Sequence, residues 1–309
     1  MVDLILFGDC RDTLKQFPRG SAQMCVTSPP YYGLRDYGGE ENQIGMEQSP
    51  EDYVNEMVQV FREVRDVLKD DGVLWLNIGD SYYNYRSDGN YPKQSVSKTR
   101  QDLPQSTPVR GNKLKGLKGK DLIGIPWMLA FALRADGWYL RQDIIWHKPN
   151  PMPESVKDRC TKSHEYIFLL SKNQNYYYDN EAIKEPVKQD WGTRDRTKGK
   201  YHNPGTGLQP HSGLTKSYER KNKRSVWTVN KKPYKGAHFA TYPEELIEPC
   251  ILAASRTGDT ILDPFMGSGT TAMVARKHDR HYLGCELHED YGTLIQKRIK
   301  AIPTKLPML

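Results

Sequence analysis

Seven residues, Thr27-Ser28-Pro29-Pro30-Tyr31-Tyr32-Gly33, hold the types most suited to handling an amine on an aromatic ring. They follow the apolar run Met24-Cys25-Val26, which reads as a buried strand stopped by two prolines and so ending in a rigid loop. Pro29 and Pro30 lack N–H groups and have a fixed φ, which keeps their carbonyls out of helical bonding and aims them in definite directions. A hydroxyl and a backbone carbonyl can together accept both hydrogens of an exocyclic amino group, while a tyrosine face stacks on the ring that carries it. The same composition also suits an ordinary turn, and a second stretch far downstream shifts the balance.

That stretch is Asp263-Pro264-Phe265-Met266-Gly267-Ser268-Gly269-Thr270-Thr271. A strand precedes it (Asp259 to Asp263), a helix follows (Ala272 to His278), and the next strand, Tyr282 to Glu286, ends in an acid. Strand, Gly-rich turn, helix, strand and terminal acid is the plan of a nucleotide-binding half-sheet. Gly267, Gly269 and Ala272 fit the G-x-G-x-x-G/A spacing, and Glu286 lies near the distance expected of an acid that grips ribose hydroxyls. No lysine follows the glycines, which excludes a phosphate-gripping P-loop. A doubly wound dinucleotide fold usually begins with this unit; here it comes last.

The elements that must carry these groups read as alternating strands and helices. Val2 to Phe7 forms a strand closed by Gly8-Asp9-Cys10, and a short amphipathic run, Arg11 to Phe17, leads to the strand before Ser28. The clearest helix has Ser49 as cap, Pro50 in the first turn, and Val54, Met57, Val58, Phe61, Val64 and Leu68 on one face, with Gly72 after its last turn. Gly72 to Gly79 is a continuous apolar strand, as in a parallel sheet covered on both faces. A helix is expected near Pro126 to Leu133. Strands follow at 138–147 and 164–171, which lack helical spacing and can pair antiparallel. A further helix, opened by Tyr242-Pro243-Glu244-Glu245 and running to Ser255, contains the awkward Pro249.

The 309 residues suffice for one large α/β domain with insertions. Mean hydropathy is −0.75, no apolar run approaches a membrane span, and the N-terminus has no basic region before an apolar one, so a soluble, cytoplasmic protein with no membrane partner is expected. The 5 cysteines form no CxxC pair and the 8 histidines show no ligand spacing, so no metal site is expected. Within the net charge of +7, residues 184–235 carry 14 Lys/Arg against 4 Asp/Glu and residues 85–120 carry 9 against 2, which leaves the remainder net acidic. An acidic body with two basic segments, interleaved with Tyr, Trp and His, suggests an enzyme with a polyanion-binding surface, although charge runs are often only solvated loops.

Thr27-Ser28-Pro29-Pro30-Tyr31 resembles the catalytic motif of the S-adenosylmethionine-dependent DNA amino-methyltransferases, and Asp263 to Thr271 resembles their cofactor motif. Catalytic half first and cofactor half last is similar to the circularly permuted order called the beta class. The likeness extends through Gly8-Asp9-Cys10, residues 72–80, Trp146 to Asn150 and His238 to Pro243, and it leaves out 85–120 and 184–235. It implies a Rossmann-like methyltransferase sheet in three parts. Residues 1–183 would be the catalytic half, with a basic loop at 85–120; residues 184–235 a target-recognition insertion; and residues 236–309 the cofactor-binding half.

By the same resemblance, Phe265, Gly267 and Gly269 line S-adenosyl-L-methionine, with Asp263 in the motif and Glu286 on the ribose hydroxyls. Phe239 to Pro243 shape the methionine end, and Asp9 lies near the adenine. Ser28 Oγ and the Pro29 carbonyl hold the amine hydrogens, Pro30 completes the loop, and Tyr31 stacks on a flipped base. Arg194, Arg196, Arg220 and Arg224 are candidates for DNA contact, and Trp146 and Trp227 are candidate pocket walls or core. Serine at position 28 is typical of cytosine-N4 members and aspartate or asparagine of adenine-N6 members, so cytosine N4 is expected and adenine N6 is the alternative. A cognate restriction endonuclease, a homodimer and a prokaryotic or phage source all fit. RNA or protein N-methylation, a non-catalytic nucleic-acid binder and a dehydrogenase are the competing classes.

Overall fold

The structure is a computed structural model that describes residues 2–33, 43–83, 116–187, 219–230 and 242–303. Its centre is an eight-stranded sheet built from β1 (Leu4–Phe7), β2 (Ala22–Thr27), β3 (Leu68–Ile78), β4 (Tyr139–His147), β5 (His164–Ser171), β8 (Val226–Thr228), β9 (Thr260–Asp263) and β10 (His281–Glu286). The spatial order is β1-β10-β9-β2-β3-β5-β4-β8. β1, β10, β9, β2 and β3 run parallel, β5 is antiparallel to both β3 and β4, and β8 is parallel to β4. The expected antiparallel pairing of 138–147 with 164–171 is therefore present. β6 (Glu185–Pro186) and β7 (Arg220–Lys221) form a separate two-stranded ribbon.

Helices cover both faces, as continuous apolar strands require. α1 (Cys10–Thr13), α2 (Pro50–Val67) and α3 (Ile125–Ala135) pack on one side, where Tyr53, Met57, Val60, Phe61 and Val64 are buried. α4 (Glu244–Ala254), α5 (Thr270–Lys277) and α6 (Tyr291–Lys300) pack on the other. Among the described residues no helix is long and apolar enough to cross a membrane, and no cluster of His, Cys, Asp or Glu could hold a metal ion.

α2 ends earlier than its apolar face suggests. Leu68 is fully buried and extended, with φ −73° and ψ 142°, and it pairs with Ala22 as the first residue of β3. Met24 then pairs with Val73, so Lys69 to Gly72 bulge out between the two pairs. Gly72 lies in this bulge instead of terminating the helix, and a Cβ there would sit 2.8 Å from the Lys69 carbonyl. α4 accommodates Pro249 within its length. Of the segment 184–235, Val226–Thr228 joins the main sheet as β8, and Trp227 is buried against Trp75.

Candidate active site

Because five strands run parallel, their carboxyl ends line one edge, and the residues that follow them meet there: Asp9 after β1, Ser28 after β2, Asp80 after β3, Asp263 ending β9 and Glu286 ending β10. β2 and β9 are neighbours whose following helices cover opposite faces, which is the crevice position where α/β sheets bind ligands.

The two motifs of the sequence meet at this seam. Thr27 Oγ1 donates to Asp263 Oδ1 at 2.6 Å, both groups buried. Phe265 N donates to Asp263 Oδ1 at 3.0 Å, and Tyr242 Oη and Thr271 Oγ1 donate to Oδ2 at 3.0 and 2.5 Å. Burial pushes the Asp263 carboxyl up despite these four donors. Its contacts make it a strut between catalytic and cofactor loops, with both oxygens engaged inside the protein.

The cofactor side is shaped around Glu286. This carboxylate accepts from Gly267 N at 2.7 Å and from His288 N at 3.1 Å. Burial raises it to about 7, against the lowering effect of those backbone donors. A buried carboxylate at a strand end, with acceptor capacity beyond two N–H bonds, suits a pair of vicinal hydroxyls. Gly269 takes φ +79°, and a Cβ there would sit 2.8 Å from Ile295 Cγ2 on α6, so the turn and helix approach too closely for a side chain. Arg298 Nη1 ties α6 to the same turn by donating to the Ser268 carbonyl at 2.7 Å. Phe265 stands half-buried, Pro243 is buried as the N-cap of α4, and Gly267 is half-buried at φ +54°. These residues fit a nucleoside cofactor.

Asp9 is already engaged. It caps α1 through Arg11 N at 2.9 Å and takes the Arg11 guanidinium at 3.0 Å on Nε and 2.5 Å on Nη2. Burial pushes Asp9 up, but the Arg11 hydrogen bonds outweigh it and hold the carboxyl below its usual range. Arg11 also reaches Glu56 on α2 at 2.7 Å.

On the catalytic side Ser28 is half-buried, Pro29 buried, and Pro30 and Tyr31 half-buried. Tyr53 Oη, from α2, donates to the Pro30 carbonyl at 2.8 Å. Tyr31 Oη donates to Glu165 Oε2 at 2.7 Å, and Lys148 is paired with Glu165. Asp80 caps α3, accepting from Gly124 N at 3.0 Å and Ile125 N at 3.2 Å. Tyr53 and Glu165 escape a reading of motifs alone, and Lys148 lies in the quoted stretch Trp146 to Asn150 without a role assigned to it there. For Glu165 a signal exists, because it is the one acid in a mostly apolar strand. Trp146 and Trp227 are core, at 3% and 5% exposure. Arg220 and Arg224 are exposed, with Arg220 donating to the Lys184 carbonyl at 2.8 Å and Arg224 to Glu185 at 2.6 Å. Phe239, Arg194 and Arg196 lie outside the described residues.

Comparison with known proteins agrees with this geometry. The DNA methylase family of N6 and N4 methyltransferases matches residues 22–297. The chain is 47% identical over 299 residues to the Type II methyltransferase M.Cfr9I of Citrobacter freundii, covering 97% of this chain and 88% of that one. It is 47% identical over 295 residues to M.SmaI of Serratia marcescens, covering 96% and 90%. Among solved structures, the cytosine-N4-specific PvuII DNA methyltransferase superimposes with a TM-score of 0.62 at 17% identity, over 99% of this chain and 89% of that one. TTHA0409 of Thermus thermophilus, complexed with S-adenosyl-L-methionine, superimposes with a TM-score of 0.60 at 22% identity, over 99% and 100%. The shared architecture is the Rossmann-like methyltransferase sheet.

Proposed function

Because the chain belongs to the DNA methylase family of S-adenosylmethionine-dependent N6/N4 methyltransferases, we propose that it methylates the exocyclic N4 of cytosine in duplex DNA. The observation that carries this reading is Ser28, an acceptor hydroxyl at the seam between the catalytic and cofactor loops, in the position where the family's cytosine-N4 members typically hold serine.

An aromatic amine shares its lone pair with the ring and is a poor nucleophile until its hydrogens are held. Ser28 Oγ and the Pro29 carbonyl accept those two hydrogens and localise the lone pair on nitrogen. Tyr31 supplies a face for the extruded base, because a base inside a duplex cannot present its amine to a buried site. Bound S-adenosylmethionine supplies the methyl group as an electrophile. Glu286 holds the ribose hydroxyls, Phe265, Gly267 and Gly269 line the cofactor, and Pro243 with Phe239 shapes its methionine end. Serine is too weak a base to ionise, so the amine proton leaves after transfer, to water. Asp263 acts by bracing these loops, and Asp9 by fixing the start of α1 near the adenine.

Arg220 and Arg224 belong to the DNA-facing surface, with Arg194 and Arg196 in the same basic segment. The protein works where cellular DNA is, in the cytoplasm of a prokaryote, beside a restriction endonuclease of matching specificity. The test is incubation with S-adenosylmethionine and unmodified duplex DNA, digestion to nucleosides, and mass spectrometry. N4-methylcytosine is the expected product, whereas N6-methyladenine overturns the base assignment and leaves the pocket intact.

A further inference from the structure

Next to the catalytic loop lies a buried charged cluster that the transfer reaction does not use directly. Glu165, near the start of β5, accepts from Tyr31 Oη at 2.7 Å and from Asn77 Nδ2 of β3 at 3.5 Å, and it takes the Lys148 ammonium on its other oxygen. Lys148 is only 4% exposed, and its Nζ lies 4.2 Å from the centroid of the Trp146 ring. The Tyr31 ring rests on Gly79, where a Cβ would come within 2.7 Å of Cε2. Stripping water from an ammonium and a carboxylate is expensive, and an apolar pair of the same size would cost less. This chain places such a pair against the hydroxyl of the ring that faces the base.

We infer that Glu165, fixed by Lys148 and Asn77, is a positioning residue that locks the Tyr31 ring against Gly79 and so fixes the face the ring offers to the base. The inference rests on the role given above to Tyr31. A carboxylate paired with an ammonium can only accept, so the phenol proton points at Glu165. That bond anchors the far end of the ring while Gly79 leaves room for its edge, and Asn77 and Lys148 in turn hold the carboxylate. A ring free to swing would offer the base a shifting surface and carry the amine away from the acceptors at Ser28 and Pro29.

The test measures methyl transfer from S-adenosyl-L-methionine to unmethylated mixed-sequence duplex DNA by the full-length protein. Tyr31→Phe keeps the ring, and Glu165→Gln removes the obligate acceptor. Each is expected to lower kcat about tenfold with the KM for S-adenosyl-L-methionine unchanged. The double variant is expected to be no slower than the slower single, because both changes remove one shared hydrogen bond. Glu165→Gln leaves Lys148 buried without its counter-charge, so Lys148→Met with Glu165→Gln is the second variant, neutral throughout. It is expected to fold, as read by circular dichroism, and to stay slow. Additive losses from Tyr31→Phe and Glu165→Gln, a wild-type kcat in the neutral pair, or an effect confined to the cofactor KM overturns the inference while the wild type remains active. A wild type that transfers no methyl to DNA overturns the underlying reading, and this inference with it.

Discussion

In the role proposed for it, Glu286 couples cofactor binding to a proton. Burial raises its carboxyl to about 7, whereas ribose hydroxyls need the ionised form as acceptor. Cofactor binding is therefore expected to release a proton near neutrality and to weaken by about tenfold for each pH unit below 7. Calorimetry in buffers of different ionisation enthalpy measures the release, and Glu286→Gln is expected to abolish it. Without cofactor the sign reverses. A folded carboxyl raised above its unfolded value binds the extra proton in the native state, so its contribution to stability is full at low pH and is lost as pH rises through about 7. Asp263→Ala is expected to cost about 3 kcal/mol in urea unfolding, because Thr27, Phe265, Tyr242 and Thr271 all lose an acceptor inside the protein. The positions of Ser28 just after β2 and of Glu286 at the end of β10 were legible in the sequence because short motifs mark those strand ends. The bracing partners were not. Tyr31 and Glu165 stand 134 residues apart and Tyr53 and Pro30 stand 23 apart, and no local periodicity encodes either pairing.

At the scale of elements, α2 does more than cover the sheet. Its Ser49 cap accepts from Asp52 N at 3.1 Å, its apolar face fills the core, and Tyr53 in its first turns holds the Pro30 carbonyl. Tyr53→Phe is expected to cost about 1 kcal/mol in stability and to lower kcat several-fold while cofactor affinity, read by calorimetry, stays as in the wild type. The helices were readable because caps and three- and four-residue spacing are local. Two features were not. β3 begins inside what reads as the end of α2, because pairing of buried Leu68 with Ala22 outweighs one more helical turn. β8 is three residues in a basic stretch, and only its register against Ile145 to His147 makes it a strand.

For the molecule as a whole, charge and strand order matter most. If the basic segment meets phosphates, Arg220→Ala with Arg224→Ala lowers the slope of log affinity against log salt by about 2, since each phosphate contact contributes about 0.9. Fluorescence anisotropy with duplex DNA across a salt series measures it, and an unchanged slope removes both arginines from the interface. The strand order carries a different consequence, one of timing. β1 is made before its partner β10, the last of the ten described strands, and β2 waits for β9, whose Asp263 bonds Thr27 across 236 residues. A nascent chain stopped before Thr260 leaves β2, buried throughout in the finished fold, with an open apolar edge where β9 would pair, the state that invites aggregation and proteolysis. The catalytic loop is translated before the strand that braces it and acquires that bracing only once β9 has been made.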